Sequence, residues 1–310
     1  MDLYLCFTPL QSLIAKRLME VSDRDNGCLY ISDVDSSIAR SYFKSISCDL
    51  CFSEFILLTG NKYKDLYKII RMKKKIKKTV NNVYVASIDN IYFQLFLSRL
   101  DFNGIYTFDD GMANIYKAGI YHNSYETKGI RFLGYKILGG YYTTELLKKK
   151  SLHHFSIYDK NIKNIVDKNK VSTINLFSSE EIDSATEISQ VIKIFAGQPV
   201  YYKDPQKSKD MTLKALNVIK PDFYFPHPRE DFHIDNVSYI RSDLIIEDYI
   251  LSFLKSNKNS KIILFSFFSS ALANLANVEL VDVYAVKTAD IENHDIFDLI
   301  DELNIPIVNI

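Results

Sequence analysis

The sequence predicts an α/β protein of two doubly wound, Rossmann-like domains whose parallel sheets face a cleft. Three observations carry this expectation. Short apolar, β-branched and aromatic runs alternate with helix-period segments, and the alternation occurs in two successive series. The third is length: 310 residues exceed one ordinary core and suit two domains of roughly 150 each.

In the first series, strands are expected at 3–7, 28–32, 51–58, 83–87 and 105–108, with helices at 9–21, 36–46 and 90–100. Strands separated by helices imply right-handed crossovers and a parallel sheet. A less regular, lysine-containing stretch at 147–170 follows. The second series has strands near 173–177, 191–196, 222–225, 261–267 and 280–286, and helices near 206–218, 246–255, 270–275 and 296–303. The expected domains are therefore 1–160 and 161–310. In open sheets of this kind ligands lie at the carboxyl ends of the strands.

Apolar residues form 47 % of the chain and charged residues 25 %, a soluble globular balance. The 38 basic and 38 acidic side chains cancel, which leaves no overall footprint for nucleic acid. No apolar run approaches the roughly 18–20 residues of a membrane span, and the opening Met1-Asp2-Leu3-Tyr4-Leu5-Cys6 lacks the basic segment of a signal peptide. A cytoplasmic protein is expected. Cys48 and Cys51 have CxxC spacing but no second pair or flanking histidine, so they read as ordinary thiols rather than zinc ligands. The segment 62–78 carries nine basic residues against the single acid Asp65, with Leu66, Ile69, Ile70 and Ile76 at near-helical spacing. It is either a basic amphipathic helix resting on an anionic membrane or a solvated helix face.

The chemistry gathers at expected strand ends. Phe223-Tyr224-Phe225 runs into Pro226-His227-Pro228-Arg229, where the flanking prolines hold the histidine backbone near extended geometry and present the imidazole from a stiff turn. Histidine titrates near neutrality, and an adjacent phosphate favours the cation that stabilises a leaving group. Arg229 suits a phosphate or carboxylate, and equally an ordinary salt bridge. Ser269 and Ser270 end a strand and open a helical run; such a terminus suits a monophosphate, and also simple capping. Glu247, at a helix start, can accept ribose hydroxyls or complement the helix dipole. Asp109-Asp110-Gly111 ends a strand of the first domain, as paired carboxylates or as a turn. Asp204 lies after the strand that precedes the histidine's own and reads from spacing as a loop acid.

Together, Phe108-Asp109-Asp110-Gly111, Gly197-Gln198-Pro199, Pro226-His227-Pro228-Arg229, Ile246-Glu247-Asp248-Tyr249-Ile250 and Phe267-Phe268-Ser269-Ser270 resemble glycosyltransferase family 52. These are the bacterial sialyltransferases of lipooligosaccharide and capsule synthesis. The similarity runs from Cys6-Phe7-Thr8-Pro9-Leu10-Gln11 to Ile305-Pro306-Ile307. It implies the two-domain GT-B architecture, an acceptor-side first domain and a CMP-sugar-binding second domain. The donor is then CMP-sialic acid and the acceptor a galactose-terminated glycan, with inversion at the anomeric carbon and neither metal nor cofactor.

On the same pattern, His227 is the general acid that holds the CMP phosphate. Gly197, Pro228, Arg229, Phe268, Ser269 and Ser270 surround the nucleotide, and Glu247 meets the ribose. Two residues compete for the general base. Asp204 matches the family's acid if a short insertion at 200–203 is allowed, and is preferred; Asp110 matches the Asp-Asp-Gly acid of related sialyltransferase families. A homodimer is compatible with the resemblance. The rival readings are a transferase of another CMP-activated ulosonic acid or for a polysialyl acceptor, and a nucleotide-binding scaffold without turnover.

Overall fold

The computed structural model describes residues 1–123, 130–177, 187–201, 203–291 and 294–310, without the side chains of 130–132 and 294. The chain divides into two compact units, Met1–Leu176 and Phe177–Ile310.

The first unit runs β1 (Asp2–Cys6), α1 (Pro9–Glu20), β2 (Asn26–Ser32), α2 (Ser37–Ser47), β3 (Phe52–Leu57), α3 (Lys62–Met72), β4 (Asn82–Val85), α4 (Ile91–Leu97), β5 (Gly104–Phe108), α5 (Ile130–Ile137), α6 (Thr144–Lys150), β6 (Ser151–Ser156) and β7 (Val171–Thr173). Its strands form one sheet in the order β3-β2-β1-β4-β5-β6-β7, and every pairing is parallel. β1 is buried along its whole length, as a strand covered on both faces must be. Thr8 caps α1 by accepting the Gln11 N–H, and Pro9 opens the helix, where its missing N–H costs no hydrogen bond. Across the sheet Tyr4, Tyr84 and Tyr106 stack at centroid distances of 4.4 and 5.0 Å, an aromatic ladder that couples neighbouring strands.

The expected strand at 173–177 is corrected by this sheet. Only Val171–Thr173 is extended as a strand, and it pairs with β6 through His154↔Val171 in the first unit. Arg17 Nε also donates to the Leu176 carbonyl at 3.1 Å, which holds the following residues there too. The division between units therefore falls beyond the expected 160/161. Within the stretch read as irregular, the end of α6 leads into β6, which pairs with β5 and carries the sheet on to its edge strand β7.

Helix α3 forms where the basic segment predicts a helix, and its apolar side is already covered. Ile69 and Met72 are 0 % and 3 % exposed in the main core, with Ile76 packed against it. Leu66 meets Leu95 and Tyr135, and Ile70 packs beside them. The membrane reading thus loses the apolar stripe on which it rested; its lysines remain on the surface, where Lys73, Lys75 and Lys78 pair with Asp101, Glu54 and Asp25. Among the described residues no helix is long and apolar enough to cross a membrane.

The second unit runs β8 (Gln190–Ala196), α7 (Pro205–Ile219), β9 (Phe223–Phe225), α8 (Ile246–Ser256), β10 (Ser260–Ser266), α9 (Ser270–Leu275), β11 (Val281–Lys287), α10 (His294–Glu302) and β12 (Ile307–Asn309). The sheet order is β12-β11-β10-β8-β9, again with parallel pairings. The chain thus leaves β8 toward one edge and returns to its other side as β10. Such a reversal opens a crevice at the carboxyl ends of the two strands on either side of it. Phe195, Tyr224 and Leu264 on the strands, Phe267 just after β10, and Ile250, Leu254, Leu272 and Ile300 on the helices are buried and form the core.

Ile69→Ala should lower the free energy of unfolding by about 2–4 kcal/mol, as loss of a buried aliphatic side chain does. Urea denaturation checks this, and an unchanged midpoint would show that α3 is not anchored through its apolar face.

Candidate active site

Three adjacent strands of the second unit end at one edge of its sheet, and each end carries an expected site residue. Gly197 follows β8, His227 follows β9, and Ser269 follows β10. The Gln198 side chain crosses the reversal point, its Oε1 accepting the Phe268 N–H at 3.0 Å. This bond joins the Gly-Gln-Pro turn to the turn that holds the serines.

The imidazole of His227 is held from its own loop. Arg229 N–H donates to His227 Nδ1 at 3.0 Å. A ring nitrogen that accepts carries no proton, so the neutral imidazole bears its hydrogen on Nε2. Burial, with the nearby Arg229 charge second, lowers its pKa from 6.5 to about 4. In the unliganded protein His227 is therefore a neutral Nε2–H donor at pH 7. The sequence reading favoured the cation beside a phosphate; in the unliganded protein burial and the Arg229 charge favour the neutral ring instead.

Behind the histidine, Tyr224 donates to Glu230 Oε2 at 2.7 Å, and the His227 N–H lies 3.5 Å from the same oxygen. Burial raises the Glu230 carboxyl. The pair explains Gly197: a Cβ there would lie 2.4 Å from both Glu230 Oε2 and the Tyr224 hydroxyl. Glycine is required by this close approach, since even an alanine would force the pair apart.

The remaining residues of the second unit have identifiable local tasks. Ser269 caps α9, its Oγ accepting the Ala271 N–H at 3.3 Å, which leaves the hydroxyl hydrogen available as a donor. Ser270 is the first residue of α9, and Phe268 packs edge-on against Phe297. Glu247 is 5 % exposed; its Oε1 accepts from Asn274 Nδ2 at 2.8 Å, which ties α8 to α9, and burial raises its carboxyl. Pro228 and Arg229 lie on the exposed side of the turn. Asp204 caps α7, accepting the Lys207 N–H through Oδ1 at 3.0 Å. Among the described residues its Oδ2 accepts no hydrogen bond.

The first unit assembles a second polar group around Asp110. Gln11 spans the reversal between β1 and β4: its Oε1 accepts the Phe7 N–H at 2.6 Å. Its Nε2 donates to Ser87 Oγ at 2.8 Å and to Asp110 Oδ1 at 2.5 Å. Ser87 and Tyr121 donate to Asp110 Oδ2 at 3.1 and 2.7 Å, and the Asp110 N–H donates to Asn114 Oδ1 at 2.6 Å. Tyr121 also stands 3.2 Å from Asp89 Oδ1, whose carboxyl is raised by desolvation and then by the Asp110 charge. Gly111, at φ +59°, lets the chain turn directly after this carboxylate.

Asp109 faces the other way and is fully buried. It accepts from His154 Nε2, Ser156 Oγ and the Ile157 N–H at 2.8, 2.8 and 2.7 Å, and so fastens β5 to β6. Ser87, Asp89, Tyr121 and Glu230 escaped the sequence reading, and Gln11, Gln198 and Tyr224 stood in its motifs without a role. Buried polar positions on otherwise apolar faces, Gln11 above all, are the signal that points to them.

Gly197→Ala should destabilise the protein by about 1–3 kcal/mol; a wild-type denaturation midpoint would disprove the close contact. A second consequence concerns acid. The unfolded chain binds a proton on His227 near its ordinary 6.5 and the folded chain only near 4. Its contribution to stability is therefore complete above about pH 6.5 and lost as pH falls toward 4. His227→Asn should flatten that part of the stability–pH curve relative to wild type, and parallel curves would refute the shift.

The model of glycosyltransferase family 52 matches residues 25–290. An N-acetyllactosaminide alpha-2,3-sialyltransferase of Haemophilus influenzae is 33 % identical over 93 % of each chain. A CMP-N-acetylneuraminate:beta-galactoside alpha-2,3-sialyltransferase of Pasteurella multocida is 31 % identical over 100 % of this chain and 99 % of its own. Among solved structures, the GT-B domain of a sialyltransferase from Photobacterium damselae superposes with a TM-score of 0.55 over both whole chains at 10 % identity, a likeness of fold. With its two parallel sheets, the fold is GT-B, and the chain belongs to glycosyltransferase family 52.

Proposed function

We propose that this chain is a sialyltransferase that moves sialic acid from CMP-sialic acid to a terminal β-galactoside of a bacterial surface glycan, forming an α2,3 linkage. The observation that carries the reading is the edge of the second sheet. There His227 presents a neutral Nε2–H from a rigid turn, and the Ser269 hydroxyl stands at the end of the next strand but one. The names of the two relatives supply the donor, acceptor and linkage.

In this reading the reaction is a single displacement with inversion and without a metal. The base takes the proton of the acceptor hydroxyl, the acceptor oxygen bonds to C2 of sialic acid, and the bond from C2 to the phosphate oxygen breaks. The leaving group is a nucleoside monophosphate, and hydrogen bonds or a proton from His227 and Ser269 stabilise its charge without a cation. Asp204 is the base favoured here, because the helix cap fixes its carboxylate through Oδ1 and leaves Oδ2 open. Asp110, whose two oxygens already accept three side-chain hydrogen bonds, is a positioning acid on the acceptor side.

His227→Ala should lower kcat by about 10²- to 10⁴-fold, as loss of an acid does. Asp204→Asn should be worse than Asp110→Asn; the reverse order transfers the role of base. Offering CMP-sialic acid and CMP-Kdo with a β-galactoside, and measuring CMP release, tests the donor. Turnover with CMP-Kdo alone would replace the reading with that of another ulosonic acid, and none with either donor would leave a scaffold.

A further inference from the structure

A pocket of about 780 Å³ in the first unit lies between α6 and the loop joining β6 to β7. Six lysines line it against two acids, Glu145 and Asp167. Three of the lysines are engaged: Lys148 with Tyr121 O and Glu145, Lys168 with Asn161, and Lys170 with Ser151 O. Lys149, Lys160 and Lys163 are exposed and have no hydrogen-bond or ion-pair partner among the described residues. Like charges converging on a concave wall repel one another, and they concentrate anions in the hollow. Ammonium groups bind phosphate oxygens as point charges.

The pocket is built into the surroundings of Asp110. Lys148 holds the Tyr121 carbonyl at 2.7 Å, and the hydroxyl of the same tyrosine donates to Asp110. His122, on the pocket wall, lies 2.8 Å through Nε2 from the Asn114 carbonyl, and Asn114 receives the Asp110 N–H. Burial, then the charges of Lys148, Lys163 and Lys117, lower the His122 pKa, consistent with a positive local field. Tyr121 and Asn114 thus connect the Asp110 carboxylate to Lys148 and His122 on the pocket wall.

We infer that this pocket binds phosphate groups carried by the acceptor glycan, and so selects phosphorylated oligosaccharides ending in galactose. The inference rests on the reading of the first unit as the acceptor side. It is tested with a β-galactoside-terminated oligosaccharide bearing phosphomonoesters and with the same compound after phosphatase treatment. The enzyme forms are wild type and the triple variant Lys149→Gln, Lys160→Gln, Lys163→Gln.

The variant should raise KM for the phosphorylated acceptor about tenfold at low ionic strength, roughly twofold per exposed ion pair. KM for the dephosphorylated acceptor and both kcat values should stay at wild-type levels. Equal effects on the two acceptors, or no effect on either, would overturn the assignment. So would loss of sedimentation with phosphatidylglycerol vesicles without a change in KM, which would make the patch a membrane contact. If wild type transfers sialic acid to neither acceptor, the sialyltransferase reading fails separately. Calorimetric titration of the phosphorylated oligosaccharide then decides the pocket: weaker binding by the variant supports it, and equal binding refutes it.

Discussion

The hydrogen bond from the Arg229 N–H to His227 Nδ1 is the constraint on which the candidate site of the second unit depends. It decides which nitrogen of the ring carries hydrogen and leaves Nε2–H as the group to meet a ligand. A donor aimed at Nδ1 and the burial of the ring both oppose the cation. The prolines on either side keep the turn from relaxing. Behind it, the Tyr224–Glu230 pair fits only because Gly197 has no side chain.

The same architectural device appears once in each unit. A parallel sheet whose chain reverses direction of growth leaves an open crevice between two strand ends, and in both units a glutamine lies across it. Gln198 links the end of β8 to the turn after β10. Gln11 links the turn after β1 to Ser87 after β4 and to Asp110 after β5. The amide suits the task because it offers an acceptor and two donors without charge. Through it the topology of the sheet sets the position of the polar groups, and the turns that carry the chemistry are fixed to a rigid frame.

Much of this was legible in the sequence. β1 and β2 read correctly because strands buried on both faces are nearly continuous apolar runs, and β8, β10 and β11 because their apolar, β-branched and aromatic residues outnumber the polar ones. β6 did not, since Ser151, His153, His154 and Ser156 break the pattern; the buried ring of His154 finds its partners in Thr107 and Asp109, far away in sequence. The periodicity of α3 was plain, but the partners of its apolar side, Leu95 and Tyr135, are tertiary neighbours that no local pattern names. At the site, Pro226-His227-Pro228 announced itself through backbone stiffness. Gln11, Tyr121 and Glu230 acquire meaning only from what they touch; Ser269 has the capping task that local sequence also allowed, whereas the Asp204 cap and the Glu247–Asn274 bond were not read from it.

The central claim is that His227 Nε2 faces the departing phosphate. Titration of His227 by nitrogen-15 NMR, with and without CMP, tests it most directly. The account predicts Nδ1 unprotonated and Nε2 protonated in the free protein, with a pKa of about 4 that rises when CMP binds. A titration curve and ring shifts unchanged by saturating CMP would contradict it.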